Sequence, residues 1–277
     1  MNRSNNRLML AGIDIGSRTI KAVALKDRRL LDYQIAESGF DPHRQSLEMI
    51  KKYHPERIVA TGYGRHLAKK HFADEIITEI KAHAMGARYF YPDCKTIIDV
   101  GGQDSKVISL DKSGKVINFQ MNDKCAAGTG RFLEIMAASL GFSLNEFGEE
   151  AIRGLEDIKI NSMCTVFAES EVISLKNRGI SPKDIARAVH LSVVEKLIGM
   201  LHRLGHGESI VFTGGVAKNC CIIALLRERL KIKIDTPSVP DITGALGAAL
   251  YAAQTIEEQD KTADTAGLNS NFREVLL

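Results

Sequence analysis

The chain has no apolar run near the ~20 residues that a membrane-spanning helix needs. Its amino terminus, MNRSNNRLMLAG, has neither the apolar core nor the cleavage site of a secretory leader. It has little excess charge: 37 basic against 34 acidic residues leave +3, too small to suggest a nucleic-acid or membrane-surface protein. C-x-x-C pairs and Cys/His clusters are missing, which argues against a zinc site within one chain. The cysteines, at 94, 125, 164, 220 and 221, are odd in number and do not read as a disulfide framework. What is present is ordinary for a globular protein, with 44% hydrophobic and 26% charged residues. These features point to a soluble, cytoplasmic protein. At roughly 100–200 residues per domain, 277 residues predict two compact lobes.

The chain repeats itself once. Residues 13–25 read IDIGSRTIKAVAL and residues 98–110 read IDVGGQDSKVISL. Without gaps, Asp14 aligns with Asp99, Gly16 with Gly101, Lys21 with Lys106 and Leu25 with Leu110. Each copy reads as a strand ending in Asp-x-Gly, a short turn and a second strand, which is a β-hairpin. Third strands are predicted at 30–35 and 116–121, and later strands at 57–62, 209–213 and 232–235. Helices are predicted at 42–53, 65–72, 78–91, 127–140, from 182 to 204, at 219–230 and at 243–254. The class is therefore α/β. The expected lobes are 1–92 and 93–254, followed by a polar tail over 255–277 without a clear period.

Each Asp-x-Gly puts a carboxylate at a strand end with a glycine turn just after it. Such a turn can be a tight hairpin only, or its N–H groups can form an anion-binding concavity. A carboxylate beside it suits hydrated magnesium, which prefers oxygen ligands and keeps waters. Retention of Asp, Gly and Lys in both copies favours a shared phosphate role. A third glycine turn, Phe212-Thr213-Gly214-Gly215-Val216, lies between a strand and a helix; paired glycines there let a ring or ribose approach the backbone.

Together these three turns resemble the superfamily of acetate and sugar kinases, Hsp70 and actin. The resemblance implies a two-lobed, duplicated ribonuclease-H-like fold closing over ATP or ADP. Gly16, Ser17, Thr19 and Lys21 of the first turn and Gly101 and Gly102 of the second would hold phosphates. Gly214, Gly215, Lys218 and Asn219 would border the adenosine. Asp14 and Asp99 would hold Mg2+ through water, and Gln103 would orient the attacking water. The small-residue run 244–249, GALGAA, looks like the helix that crosses between lobes.

Two cysteine segments select a branch of that superfamily. Residues 122–132 read NDKCAAGTGRF and residues 164–174 read CTVFAESEVIS. Both cysteines are expected just before helices, where free N–H groups and the helix dipole favour a thiolate; either one alone would also suit a small buried side chain. With ATGYGR, AHAMGA, TGGVAKN and GALGAALYA, these segments resemble the activator (reductase) component of 2-hydroxyacyl-CoA dehydratases and the ATP-binding subunits of benzoyl-CoA reductase. The resemblance covers about residues 8–253.

It implies an oxygen-sensitive [4Fe–4S] cluster shared by a homodimer in an anaerobic host. It also implies a ferredoxin or flavodoxin as electron donor. The acceptor would be an iron–sulfur protein: a 2-hydroxyacyl-CoA dehydratase, a benzoyl-CoA-type reductase or a double-cubane cluster protein. The thiol arithmetic agrees. A cubane takes four thiolates; Cys125 and Cys164 are two, so two chains on a two-fold axis supply the set. Cys94, Cys220 and Cys221 match no ligand position of the family. Arg18 and Ile20 depart from the small hydroxyl residues usual in its first turn. The alternatives are a small-molecule kinase of the N-acetylglucosamine type and a nucleotide-switched binding module.

Overall fold

The computed structural model describes residues 8–155, 158–162 and 164–274, with side chains described through Gln259. Residues 1–7, which carry most of the leader argument, and the last three of the tail lie outside them. The chain divides into two compact units, one running to Gly86 and resuming at Gly244, the other spanning Ala87–Thr243.

In the first unit, β1 (Met9–Ile15), β2 (Thr19–Lys26) and β3 (Arg29–Glu37) form an antiparallel meander. The helix α1 (Pro42–Lys51) then starts with the Asp41 side chain accepting from the Arg44 N–H, and proline occupies its first turn, where no N–H is needed. It leads into β4 (Arg57–Thr61), which pairs in parallel with β1. The helix α2 (Arg65–His71), the two-residue β5 (Glu75–Ile76) and the helix α3 (Glu79–Phe90) follow. The sheet order is β3-β2-β1-β4-β5. Ile13, Ile15 and Ile20 pack against Met49 and Ile50 of α1.

The second unit repeats the plan. It has β6 (Thr96–Val100), β7 (Ser105–Leu110) and β8 (Val116–Asn122) as a meander. The helices α4 (Gly130–Leu140), α5 (Leu144–Ile152), α6 (Thr165–Asn177) and α7 (Pro182–Leu204) come next. Then β9 (Ser209–Thr213), the helix α8 (Cys220–Leu230) and β10 (Lys233–Asp235) complete it. The order β10-β9-β6-β7-β8 is the first sheet's order with β6 in the place of β1 and β9 in that of β4. The apolar stripe Ile185, Val189, Val193, Leu197 and Leu201 of α7 is buried with Phe132, Phe147 and Phe212.

Four features differ from the sequence reading. The leading segment of the first unit ends at Gly86, within α3, rather than at residue 92. The last helix, α9 (Thr243–Glu274), belongs with the first unit rather than with the second. Its stripe of small residues is the reason. A β-carbon at Gly12 of β1 would overlap the Ala245 carbonyl and the Ala249 amide, and one at Gly247 would overlap the Ala82 carbonyl of α3. The tail does not stop being helical at 254, because Ala, Gln, Glu and Lys beyond it are helix formers. Finally, α5 was not expected; Ser143 and Glu146 cap it reciprocally.

Gly247→Ala tests the α9 contact. At an exposed helix position glycine to alanine stabilises by up to about 1 kcal/mol. Here the overlap with backbone reverses the sign, and a loss of about 1–3 kcal/mol is expected, read as a lower urea midpoint at an unchanged slope.

Candidate functional site

In the first unit the β1–β2 register sets Asp14 directly opposite Lys21. Lys21 Nζ donates to Asp14 Oδ2 at 3.2 Å, so the carboxylate is neutralised where it is buried. The Gly16 N–H donates to the Thr19 carbonyl at 3.1 Å and closes the turn, with Ser17 at its exposed tip. Ser38 ties the turn to the end of β3, its Oγ donating to the Gly16 carbonyl and its N–H to the Arg18 carbonyl. Thr61 stands beside Asp14 in the β4 register.

The second unit builds the same turn with more around it. Asp99 faces Lys106 across β6 and β7, and the Gly101 N–H donates to the Asp104 carbonyl at 3.0 Å. Lys106 Nζ lies 3.4 Å from Asp99 Oδ2 and 2.7 Å from Asp104 Oδ2, all three side chains being buried. Thr213, in the place that Thr61 holds beside Asp14, donates its hydroxyl to Asp99 Oδ1 at 3.1 Å. The Gly101 and Gly102 carbonyls accept from the Gly130 and Arg131 N–H groups at 2.9 and 2.8 Å, which docks the second turn on the start of α4. Gln103 sits on the exposed tip.

The third turn meets the second at Asp99. Gly214 has φ +83°, a conformation that favours glycine, and a β-carbon there would overlap the Val100 carbonyl and stand 2.7 Å from Asp99 Oδ1. Gly215 opens a 3-10 turn that ends at Lys218, whose ammonium pairs with Asp241 at 3.0 Å. Asn219 caps α8, its Oδ1 accepting from the Ile222 N–H at 3.0 Å. Thus Asp99, Gly101, Gly102 and Gly214 adjoin, while Lys218 and Asn219 lie at the far end of the 3-10 turn.

The cysteines divide by environment. Cys164 is the exposed N-cap of α6, next to the exposed Val166 and Phe167. Cys125 is partly buried and is not at a helix start: α4 begins at Gly130 with Thr129 as its N-cap. Residues 125–128 instead make a turn, held by Asn122 Nδ2 donating to the Cys125 and Ala127 carbonyls. One helix N-terminus per chain, rather than two, therefore adjoins these thiols. A cavity of about 520 Å³ has both cysteine-bearing segments in its wall, through Ala127 and Gly128 and through Asn161 and Ser162. Burial pushes the Cys94 thiol up to about 11 and the Cys221 thiol up to about 12, which keeps both protonated. Among the described residues no three His, Cys, Asp or Glu side chains group as a metal site. Cys125 and Cys164, the two thiols of the expected ligand set, are two of the four thiolates that a cubane takes.

Residues 11–252 match the BadF/BadG/BcrA/BcrD ATPase family. The chain belongs to this family. It is 44% identical over 257 residues to an activator of lactoyl-CoA dehydratase from Anaerotignum propionicum, covering 90% of this chain and 98% of that one. It is also similar to the solved activator of the 2-hydroxyisocaproyl-CoA dehydratase from Clostridium difficile with bound ADPNP. There the identity is 38%, the TM-score 0.85, and the coverage 92% of this chain and 98% of that one. A glucokinase of the ROK family from Streptomyces griseus shares the fold alone, at 13% identity and TM-score 0.56 over 89% of this chain and 99% of that one. The fold is the duplicated ribonuclease-H-like α/β fold of these ATPases and sugar kinases.

In this ATPase family member three side chains join the site that the sequence did not single out. Asp104 and Thr213 complete the shell of Asp99; the repeat could not reveal Asp104, because its partner in the first copy is Thr19. His190 of α7 is the third. Its Nδ1 lies 2.7 Å from the Ala186 carbonyl and its Nε2 lies 3.0 Å from Asn219 Nδ2, with the Phe147 ring 4.5 Å away. The first contact makes Nδ1 the protonated nitrogen and leaves Nε2 to accept from Asn219.

Burial lowers the His190 pKa from the ordinary 6.5 to about 4. Below pH 6.5 the unfolded chain then binds the proton that the folded chain refuses, so stability falls as pH drops toward 4. At 1.36 kcal/mol per pKa unit this amounts to about 3 kcal/mol. His190→Gln is expected to remove that part of the dependence, read as a smaller difference between urea midpoints at pH 7 and pH 4.5.

Proposed function

We propose that this chain is an ATP-hydrolysing activator, a homodimer that drives electrons into an iron–sulfur partner such as a 2-hydroxyacyl-CoA dehydratase. The observation that carries it is the exposed Cys164 at the start of α6, in the same unit whose second and third glycine turns meet at Asp99. A nucleotide site and a surface thiol on one short unit suit an electron carrier gated by ATP. They do not suit a kinase, and the likeness to the glucokinase reaches the fold only.

Asp14 and Asp99 are assigned to hydrated Mg2+, each held in place by its cross-strand lysine. Gly16, Ser17, Thr19, Lys21, Gly101 and Gly102 are assigned to the phosphates, and Gly214, Gly215, Lys218 and Asn219 to the adenosine. Gln103, at the exposed tip of the second turn, is assigned to the attacking water. Cys125 and Cys164 of two copies would ligate the cluster, which when bound supplies one-electron transfer at low potential. The α4 amides that hold the Gly101 and Gly102 carbonyls give a direct route by which nucleotide state reaches the Cys125 turn. A ferredoxin or flavodoxin is the assigned donor.

The test is iron and sulfide content of the anaerobically purified protein. About two irons per chain are expected, one cubane per dimer. Cys125→Ala with Cys164→Ala is expected to lose them and keep nucleotide binding. Asp99→Asn is expected to keep the iron and lose ATP-driven electron transfer. Full iron in the double variant would overturn the ligand assignment, and unchanged hydrolysis in Asp99→Asn would remove Asp99 from the site.

A further inference from the structure

Residues 158–162, ahead of Cys164, form neither helix nor strand, yet residues 161 and 162 are anchored on one side chain. Both carboxylate oxygens of Glu171, in the middle of α6, accept from them. The Asn161 N–H donates to both oxygens at 3.1 Å, and Asn161 Nδ2 donates to Oε1 at 3.1 Å. The Ser162 N–H and hydroxyl donate to Oε2 at 3.1 and 2.9 Å. Four donors on one carboxylate come close to filling its acceptor capacity. Burial by itself would raise the Glu171 pKa, but the bonds from Asn161 and Ser162 outweigh it and hold the carboxyl below its ordinary range, so the acceptor is charged. Charge-assisted bonds of this kind are about twice as strong as neutral ones.

We propose that Glu171 is the positioning residue of Cys164: its carboxylate clasps residues 161 and 162 onto α6 and so fixes the backbone from which the thiol is presented. The clasp spans both ends of the problem. Glu171 is rigid because α6 is buried along Ala168, Val172 and Leu175. Cys164 begins the same helix, two residues beyond the clasped Ser162. A thiol that must meet a second copy at a shared cluster cannot sit on a loose strap, because a ligand displaced by about 1 Å costs much of its affinity. The proposal rests on the assignment of Cys164 as a cluster ligand.

The test uses Glu171→Gln in the full chain, purified without oxygen, beside the unaltered protein. Amide hydrogen exchange of the peptide covering residues 158–164 reads the clasp directly, without iron. Iron per chain after reconstitution with ferrous iron and sulfide reads the ligand. Exchange about tenfold faster, a clear loss of iron and unchanged ADP binding are expected. Ser162→Ala, which removes one donor only, should shift both readings less and in the same direction; it serves also if Glu171→Gln does not fold. Unchanged exchange overturns the proposal, and so does faster exchange with full iron. No iron in the unaltered protein overturns the cluster assignment itself.

Discussion

A carboxylate buried at the end of a β-strand is costly unless an opposite charge sits beside it, and both units meet that cost in the same way. Asp14 and Asp99 end the first strand of their sheets, and the hairpin register brings Lys21 and Lys106 directly across from them. The pair fixes the register, since a slip of one residue would send the lysine to the other face. Fixing the register fixes the turn, and the Gly16 and Gly101 N–H groups close it on residues three positions later. The second unit carries one carboxylate more. Lys106 serves Asp99 and Asp104 together, while Thr213 holds the other oxygen of Asp99. The Asp99 side chain is therefore oriented from both sides, and the excess negative charge is what a hydrated cation would offset.

From that carboxylate the packing runs outward without a soft joint. The third turn presses on Val100 and Asp99 at a glycine that admits no side chain. Its far end is Asn219, held between His190 of α7 and Gly148 of α5. The second turn rests on the first amides of α4, whose N-cap Thr129 donates through both its N–H and its hydroxyl to the Ala126 carbonyl. Interiors this tightly packed respond to a local shift by moving whole elements. The second turn thus contacts α4, which follows the turn that carries Cys125, whereas Cys164 stands on a separate helix with its own anchor.

The two hairpins and the strands other than the two-residue β5 were legible because alternation and an ungapped repeat fall on the same residues. The start of α4 was not. Ala127 reads as the first residue of that helix, but Asn122 takes the Cys125 and Ala127 carbonyls, and a turn ending at Gly128 results. The signal for α5 was present as Ser143-x-x-Glu146, a capping box that needs no neighbour. The membership of α9 lay beyond local reading. Gly12 and Gly247 are far apart in sequence, and only the close approach of their backbones to α9 and α3 decides where the last helix packs. His190 was equally hidden, as one histidine on the apolar stripe of α7 whose contact with Asn219 comes from residues far apart in sequence.

The division among the thiols follows from the same packing. A ligand must be a thiolate and must be reachable. Cys94 and Cys221 are neither, because burial holds their protons well above neutral pH. Cys220 is exposed at the start of α8, and it is the family resemblance, which places no ligand there, that sets it aside. The segments that carry Cys125 and Cys164, the proposed ligands, line one cavity. Two thiolates would be half of the set that a cubane takes. The exposed Val166 and Phe167 beside Cys164 are the kind of surface that a second copy would cover. Dimerisation and completion of the ligand set would then be a single event, and the proposed electron carrier would be assembled only when both chains are present.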